Sequence, residues 1–377
     1  MKIVIAPDSF KESLSALDVA KAIEAGFKEI YPEATYVKIP MADGGEGTVE
    51  SMIDATGGQL IKTQVTGPLG QPVDAFWGLT GDGEGAVIEM AAASGLHHVP
   101  PALRNPLNTT SFGTGELILH ALDHGVKQII LGIGGSATND GGVGMLQALG
   151  VSFLDVHGQE LAHRGEALTQ LHRIETDKLD ARLASVTITV ACDVNNPLCG
   201  PSGASAVFGP QKGASAEIVA TLDTALRHYG ELVESLVGYP VISVAGAGAA
   251  GGMGAALLGL LGAQLRPGVE IVTEALGLEE QLIDADLVIT GEGKLDSQTI
   301  TGKTPIGVAR VAKRHQRKVI AVAGMLAEDH SVIYAEGIDA AFAVVQGVHS
   351  LEKTLADAER NIRVTARNIA RLWQMAN

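Results

Sequence analysis

The sequence predicts an α/β protein of two domains, and three observations carry that prediction. A chain of 377 residues exceeds what one hydrophobic core ordinarily serves. Hydrophobic residues make up 46% of it with only 4% aromatic, so the core is mostly Ala, Val, Leu and Ile, while 47 glycines without a collagen period point to many turns. Short apolar runs that fit buried strands also end repeatedly in glycine beside a carboxylate, with helical spacing resuming after them.

Taken in order, residues 2–6 (K-I-V-I-A) form a β-branched run stopped by Pro7 and read as a central strand. Asp8, Ser9 and Lys11 follow on a loop. Ser15-x-x-Asp18 then offers a capping box to a helix whose apolar period runs through Leu17, Ala20, Ile23, Phe27 and Ile30. Residues 36–39 are a second strand leading into M-A-D-G-G-E-G-T, where Asp43 stands at the strand end that open α/β sheets use for ligands; an Asx-turn is the structural alternative. Three closely spaced strands, 60–65, 73–79 and 86–90, change the pattern and mark a domain boundary near Gly67. Residues 94–114 are loop-rich and offer Arg104 and Asn105 as anion contacts, and 114–124 are helical with Gly125 as C-cap.

Residues 129–145 (I-I-L-G-I-G-G-S-A-T-N-D-G-G-V-G-M) pass from a buried strand to a helix whose apolar spacing resumes at Val143. Between them lies a turn whose backbone N–H groups no Cβ shields, feeding a helix N-terminus that favours an anion; a tight turn without ligand is the bland alternative. A further strand, 186–191, ends in C-D-V-N-N-P-L-C-G-P-S-G-A-S, and the loop continues to Lys212 before an amphipathic helix over 215–237. Residues 241–261 read as strand, G-x-G-x-x-G and helix, with Glu270 near the position of a dinucleotide fold's ribose acid. The strand 286–290 runs into G-E-G-K-L-D-S-Q-T. The G-K-T at 302–304 is no P-loop, because Ser297 stands where that motif needs glycine and no strand leads directly into it. Thr304-Pro305 instead reads as N-cap and first residue of a helix to 315, followed by strands 318–323 and 340–345 and one long helix over 351–373.

The balance of 27 basic against 43 acidic residues, a net charge of −16, argues against nucleic acid or an anionic membrane as partner. An anionic ligand must then be met by local cations, a metal or helix dipoles. Two cysteines, Cys192 and Cys199, make no disulfide framework and fit a reducing cytosol. The N-terminal apolar run is too short for a signal peptide, and the uncharged stretch 241–265 is punctuated by Gly246, Gly248, Gly251, Gly252 and Gly254, so a soluble cytoplasmic protein is expected. There is no Cys or His cluster with metal spacing and no G-x-S-x-G elbow. Glycine-lined strand ends with lysines and carboxylates are the parts of phosphoryl transfer: backbone cradles, cations for the phosphate, acids for Mg²⁺ and for the attacking hydroxyl.

Those same segments, M-K-I-V-I-A-P-D-S-F-K-E-S-L-S-A, P-M-A-D-G-G-E-G-T-V-E, G-I-G-G-S-A-T-N-D-G-G, C-D-V-N-N-P-L-C-G-P-S-G-A-S, F-G-P-Q-K-G-A, G-A-G-A-A-G-G-M-G and T-G-E-G-K-L-D-S-Q-T, resemble the type I glycerate kinases. The resemblance implies ATP- and Mg²⁺-dependent phosphorylation of D-glycerate in organic-acid catabolism such as glyoxylate or aldarate breakdown. It implies 2-phospho-D-glycerate as product, with 3-phosphoglycerate the alternative. It also implies two α/β domains, one Rossmann- or flavodoxin-like with the other inserted into it and an active-site cleft between them, drawn here as residues 1–66 with 285–377, and 67–284. A homo-oligomer is compatible with it. By chemistry, Gly134, Gly135, Ser136 and Thr138 with Gly248 and Gly251 are assigned to the phosphate cradle, and Lys11 and Lys212 to anionic groups of ATP or glycerate. Asp193, Glu292 and Asp296 are assigned to Mg²⁺, and Asp43 or Asp8 to the proton of the attacked hydroxyl; each acid has a cap or Asx-turn as its structural alternative. The rival enzyme is a nicotinamide-dependent dehydrogenase built on Gly246 to Gly251.

Overall fold

A computed structural model describes residues 1–376. Its strands are β1 (Lys2–Pro7), β2 (Thr35–Lys38), β3 (Gln59–Thr66), β4 (Pro72–Leu79), β5 (Gly85–Glu89), β6 (Gln128–Gly132), β7 (Ser152–Leu154), β8 (Arg173–Glu175), β9 (Thr187–Ala191), β10 (Gln264–Arg266), β11 (Leu287–Leu295), β12 (Val319–Leu326) and β13 (Ala340–Ala343). The chain divides into two compact units, the first made of Met1–Asp43, Glu50–Gly57 and Pro267 onward, the second of Gly44–Val49 and Gly58–Arg266.

The first unit holds a five-stranded, wholly parallel sheet in the order β13-β12-β11-β1-β2. Its central strands are apolar because both faces are covered. Ile3, Ile5, Leu287 and Ile289 pack with Val19, Ile23 and Phe27 of the helix Ala16–Lys28 and with Ile362, Ala366 and Ile369 of the helix Ala358–Ala376. Ser15 caps the first of these helices as the sequence predicts, its hydroxyl accepting from the Asp18 N–H at 3.2 Å. The helix Thr304–Arg314 packs on β11 and β1.

The second unit is built on a mixed six-stranded sheet, β10-β9-β6-β5-β4-β3, antiparallel from β3 to β5 and parallel from β5 to β10. Its helices Phe112–Asp123, Val143–Ala148, Ala216–Val237 and Ala249–Leu260 contribute to one apolar core around Trp77, Ile88, Leu131, Val190, Leu226 and Met253.

Several expectations are corrected. The boundary at residue 66 is too late, because β3 pairs with β4 along its whole length and so belongs to the second unit, while Pro267 to residue 284 goes with the first. Residues 241–245 form turns, not a strand. Their backbone is satisfied elsewhere: the Glu234 carboxylate accepts from the N–H groups of Val241 at 2.7 Å and Ile242 at 2.8 Å, and the Ile242 carbonyl accepts from Leu198 N–H at 2.9 Å. The dinucleotide fingerprint thereby loses the strand it requires, and Ala250, Gly251 and Gly252 are left-handed where its helix should begin. Strand β11 is longer than expected, running on through Gly291, Glu292, Gly293 and Lys294 in register with β12. The terminal helix is two, Leu351–Ala356 and Ala358–Ala376, separated at Asp357, a residue type that competes with helical backbone bonding. No helix among the described residues is long and apolar enough to cross a membrane.

Candidate active site

In the first unit the chain moves outward from β1 to β2 on one side and from β11 through β12 to β13 on the other. The winding therefore reverses between β1 and β11, and open parallel sheets bind ligands beyond the carboxyl ends of the strands at such a reversal. Asp8 lies there, one residue beyond β1, its N–H donating to the Gly291 carbonyl at 2.8 Å. Its Oδ1 accepts from the Ser9 N–H at 2.6 Å and from the Ser9 hydroxyl at 3.3 Å, and its Oδ2 accepts from the Thr304 hydroxyl at 2.5 Å. Burial raises its pKa to about 7, the negative charges of Asp43 and Glu292 push the same way, and the Thr304 and Ser9 hydrogen bonds oppose them. Glu292, buried on β11, accepts from the Thr299 hydroxyl at 2.7 Å and pairs with Lys303 at 3.4 Å; burial raises its pKa as well. Asp43 is half-buried, on a segment tied to β1 by the Met41 N–H donating to the Pro7 carbonyl at 2.9 Å.

The other two site residues predicted in this unit fare differently. Asp296 caps the turn Ser297–Thr301, accepting from the Gln298 N–H at 2.9 Å, and pairs with Lys294 at 2.9 Å, which holds its carboxyl below the usual range. These are structural duties, and the cap alternative describes it. Lys11 is exposed on the turn closed by Phe10 and Leu14, its backbone beside Gly293 of β11.

In the second unit the turn after β6 splits into an open half and a filled half. Gly134 and Gly135 are exposed, and a Cβ placed on Gly134 would meet nothing within 4 Å. Their backbone is anchored by Leu96 N–H donating to the Gly135 carbonyl at 2.8 Å and Ala137 N–H donating to the Ser94 carbonyl at 2.9 Å. Behind them lies Lys212, wholly buried, whose ammonium donates to Ser136 Oγ at 2.7 Å and to the Thr138 carbonyl at 2.6 Å. Burial lowers the Lys212 pKa to about 7, with Asp140 pulling the other way.

The helix N-terminus expected to meet an anion is already occupied. The Asp140 carboxylate accepts from Gly142 N–H at 3.1 Å and Gly144 N–H at 3.3 Å, and from the Ser111 N–H and hydroxyl at 2.8 and 2.7 Å. Thr138 and Asn139 are buried inside this turn, and Thr138 Oγ1 has no hydrogen-bond partner among the described residues. Gly248 and Gly251 are buried too: a Cβ would lie 2.2 Å from the Pro197 carbonyl oxygen at Gly248 and 2.0 Å from that of Thr138 at Gly251. They let backbones approach, and the Gly248 N–H already donates to the Asn196 carbonyl at 2.9 Å. Asp193 is exposed just beyond β9. Arg104 Nε is buried with no hydrogen-bond partner among the described residues, and the Arg104 carbonyl abuts Gly213, next to Lys212.

Sequence reasoning passed over Thr299 and Lys303 and read Thr304 only as an N-cap, a place the structure gives to Lys303; all three serve the acids of the first unit, while Asp140 and Ser111, also passed over, build the turn of the second. It also passed over Glu89, buried at the end of β5, which accepts from the Val49 N–H at 3.0 Å. The N-cap rule applied to Asp140 before Gly141-Gly142-Val143 was the available signal.

The two kinds of glycine predict opposite outcomes on substitution. Gly251→Ala combines a left-handed residue (φ +68°) with a backbone collision and should cost at least about 2 kcal/mol in denaturant unfolding. Gly134→Ala should stay within about 0.5 kcal/mol of the parent, as a surface change, yet weaken the affinity for a phosphate-bearing ligand at least about tenfold. Unchanged affinity in Gly134→Ala would remove the open turn from phosphate binding.

Comparison with known proteins adds an independent line. The model of the glycerate kinase family matches residues 3–374. A Haemophilus influenzae protein named glycerate kinase is 59% identical over 99% of this chain and 98% of its own length. The Escherichia coli glycerate 2-kinase is 57% identical over 98% of this chain and 97% of its own. The crystal structure of a Salmonella typhimurium LT2 protein assigned as glycerate kinase 2 superposes with a TM-score of 0.93 at 59% identity, covering 100% of this chain and 99% of that one.

Proposed function

The chain belongs to the glycerate kinase family, and on that premise we propose that it transfers a phosphoryl group from ATP to the 2-hydroxyl of D-glycerate. The observation that carries the mechanism is Asp8: a half-buried carboxylate at the sheet's point of reversal, with its pKa near 7, is suited to accept a hydroxyl proton at neutral pH. Asp43 contributes negative charge beside it. Choice of the 2-hydroxyl is supported by the name of the Escherichia coli relative. On the second unit, the exposed N–H groups of Gly134 and Gly135 and the Ser136 hydroxyl are proposed to take phosphate oxygens, backed by the Lys212 charge. Lys11 and Arg104 are the cations proposed for the remaining anionic groups, the glycerate carboxylate among them.

No three His, Cys, Asp or Glu side chains among the described residues converge to enclose a metal ion. Mg²⁺ at a nucleotide needs no such cage, because it keeps water and phosphate oxygens and takes only one or two protein carboxylates. Glu292, a carboxylate in the first unit, would hold it, and when bound it would neutralise charge on the phosphate oxygens.

ADP release coupled to a reporting enzyme should require both Mg-ATP and D-glycerate, and phosphorus NMR should show the ester on carbon 2. An ester on carbon 3 would overturn the regiochemistry alone. No ADP release with D-glycerate would overturn the kinase reading and leave a protein that only binds phosphorylated ligands.

A further inference from the structure

The G-K-T at residues 302–304 has the chemistry of a P-loop ending without its loop: residues 297–301 form a 3-10 turn, not a phosphate wrap. The structure gives these side chains other partners. Lys303 reaches Glu292 on β11 at 3.4 Å, and Thr304 reaches Asp8, next to β1, at 2.5 Å. Two consecutive residues at the start of the helix Thr304–Arg314 thus serve the two acids, one buried and one half-buried, that flank the sheet's reversal point. We propose that Thr304 is a positioning residue for phosphoryl transfer, orienting the Asp8 carboxylate toward the substrate hydroxyl. The proposal rests on the kinase reading above, with Asp8 as the proton acceptor.

The argument is geometric. Asp8 Oδ1 is fixed by the N–H and hydroxyl of its own neighbour Ser9, so that end follows wherever residues 8 and 9 go. Oδ2 has Thr304 as its hydrogen-bond partner, 296 residues away, and this contact sets the rotation of the carboxylate about its bond to the chain. An ionised carboxylate accepts only, so the Thr304 hydroxyl must donate, and a donated proton favours the ionised form able to act as base. The helix start suits the task. Pro305 brings no N–H to compete for the carboxylate, and the partial positive charge of the helix terminus adds to the same bias. Lys303 meanwhile offsets the charge of Glu292, one of the two acids that disfavour ionisation of Asp8.

Thr304 is wholly buried, so Val replaces it with the same shape and no hydroxyl. In the full-length protein, Thr304→Val should lower kcat about 10- to 100-fold while KM for ATP and for D-glycerate stays within about threefold. Thr304→Ser, which restores the donor, should recover kcat to within about threefold of the parent. Thr304→Ala, tested beside it for thermal midpoint, should repeat the kcat loss and covers the case in which the Val variant does not fold. Full kcat in Thr304→Val or Thr304→Ala, or a Ser variant as slow as Val, overturns the proposal while the kinase reading stands. A parent protein that releases no ADP with D-glycerate overturns both.

Discussion

Asp8→Asn should abolish measurable turnover and, above neutral pH, make the protein harder to unfold. The first effect follows from losing the proton acceptor, a step that contributes about 10²–10⁴-fold where a positioned side chain performs it. The second follows from linkage. Asp8 has its pKa raised from 3.8 to about 7, first by burial and then by Asp43 and Glu292, so the folded protein binds that proton more tightly than the unfolded chain does. As pH rises from about 4 to about 7 the unfolded chain releases the proton before the folded one, and stability falls throughout that window. The difference of about three units corresponds to at most about 4 kcal/mol, fully exerted above pH 7. Asn has the same size and no charge, and the Thr304 hydroxyl can turn to accept from its amide. Unfolding at pH 8 should therefore show a gain for the variant that shrinks through pH 5 and is largely lost by pH 4, where the unfolded chain holds the same proton. A variant equally destabilised at pH 8 and pH 4 would mark Asp8 as a structural cap, and near-normal turnover would pass the base role to Asp43.

How far the fold was legible depends on where each element finds its partner. Strands β1 and β11 were visible because K-I-V-I-A and D-L-V-I-T must be apolar on both faces, and the helix Ala216–Val237 because its sequence is amphipathic at helical spacing. Residues 241–245 misled because an apolar run of strand composition is silent about Glu234, whose carboxylate takes the backbone protons a neighbouring strand would have taken. The far half of β11 looked like loop because Gly-Glu-Gly-Lys has low strand propensity, and only pairing of Glu292 with Ala323 and Lys294 with Met325 holds it extended. The unit boundary was misplaced for the same reason: β3 joins its sheet through β4, a tertiary fact.

The site was legible in residue types and illegible in roles. Asp43 and Glu292 stand out because an acid beside glycine at a strand end is poor turn filler, and Asp8 because it follows β1 directly, yet Asp296 follows β11 just as directly and serves as a cap. Gly134 and Gly251 are the same residue in similar motifs, one open and one pressed against a carbonyl, and nothing local separates them. Thr304 carries no sign of Asp8, since the two meet only when β1 and the helix Thr304–Arg314 are packed.

Lys212→Met should lower kcat about 10²–10³-fold, the range seen when one preorganised donor to a developing charge is lost. The ammonium is wholly buried and donates to Ser136 Oγ and the Thr138 carbonyl, so its charge reaches a ligand through the Ser136 hydroxyl and the turn it braces. Ser136→Ala cuts that route at its outer end. The two substitutions should therefore be strongly non-additive, the double variant being little slower than Lys212→Met alone. The pH profile separates the charge from the brace. Burial lowers Lys212 from 10.5 to about 7, so in the unliganded protein the cation is present below that pH and lost above it. In the parent, kcat/KM for ATP should fall on the alkaline side of about 7, after rising on the acid side as Asp8 ionises. The profile of kcat should hold to higher pH, because bound phosphate favours the charged lysine. In Lys212→Met the alkaline fall should disappear while the acid limb remains. An alkaline fall that survives in Lys212→Met, or losses that simply multiply in the double variant, would show that Lys212 does no more than fill the interior of the turn.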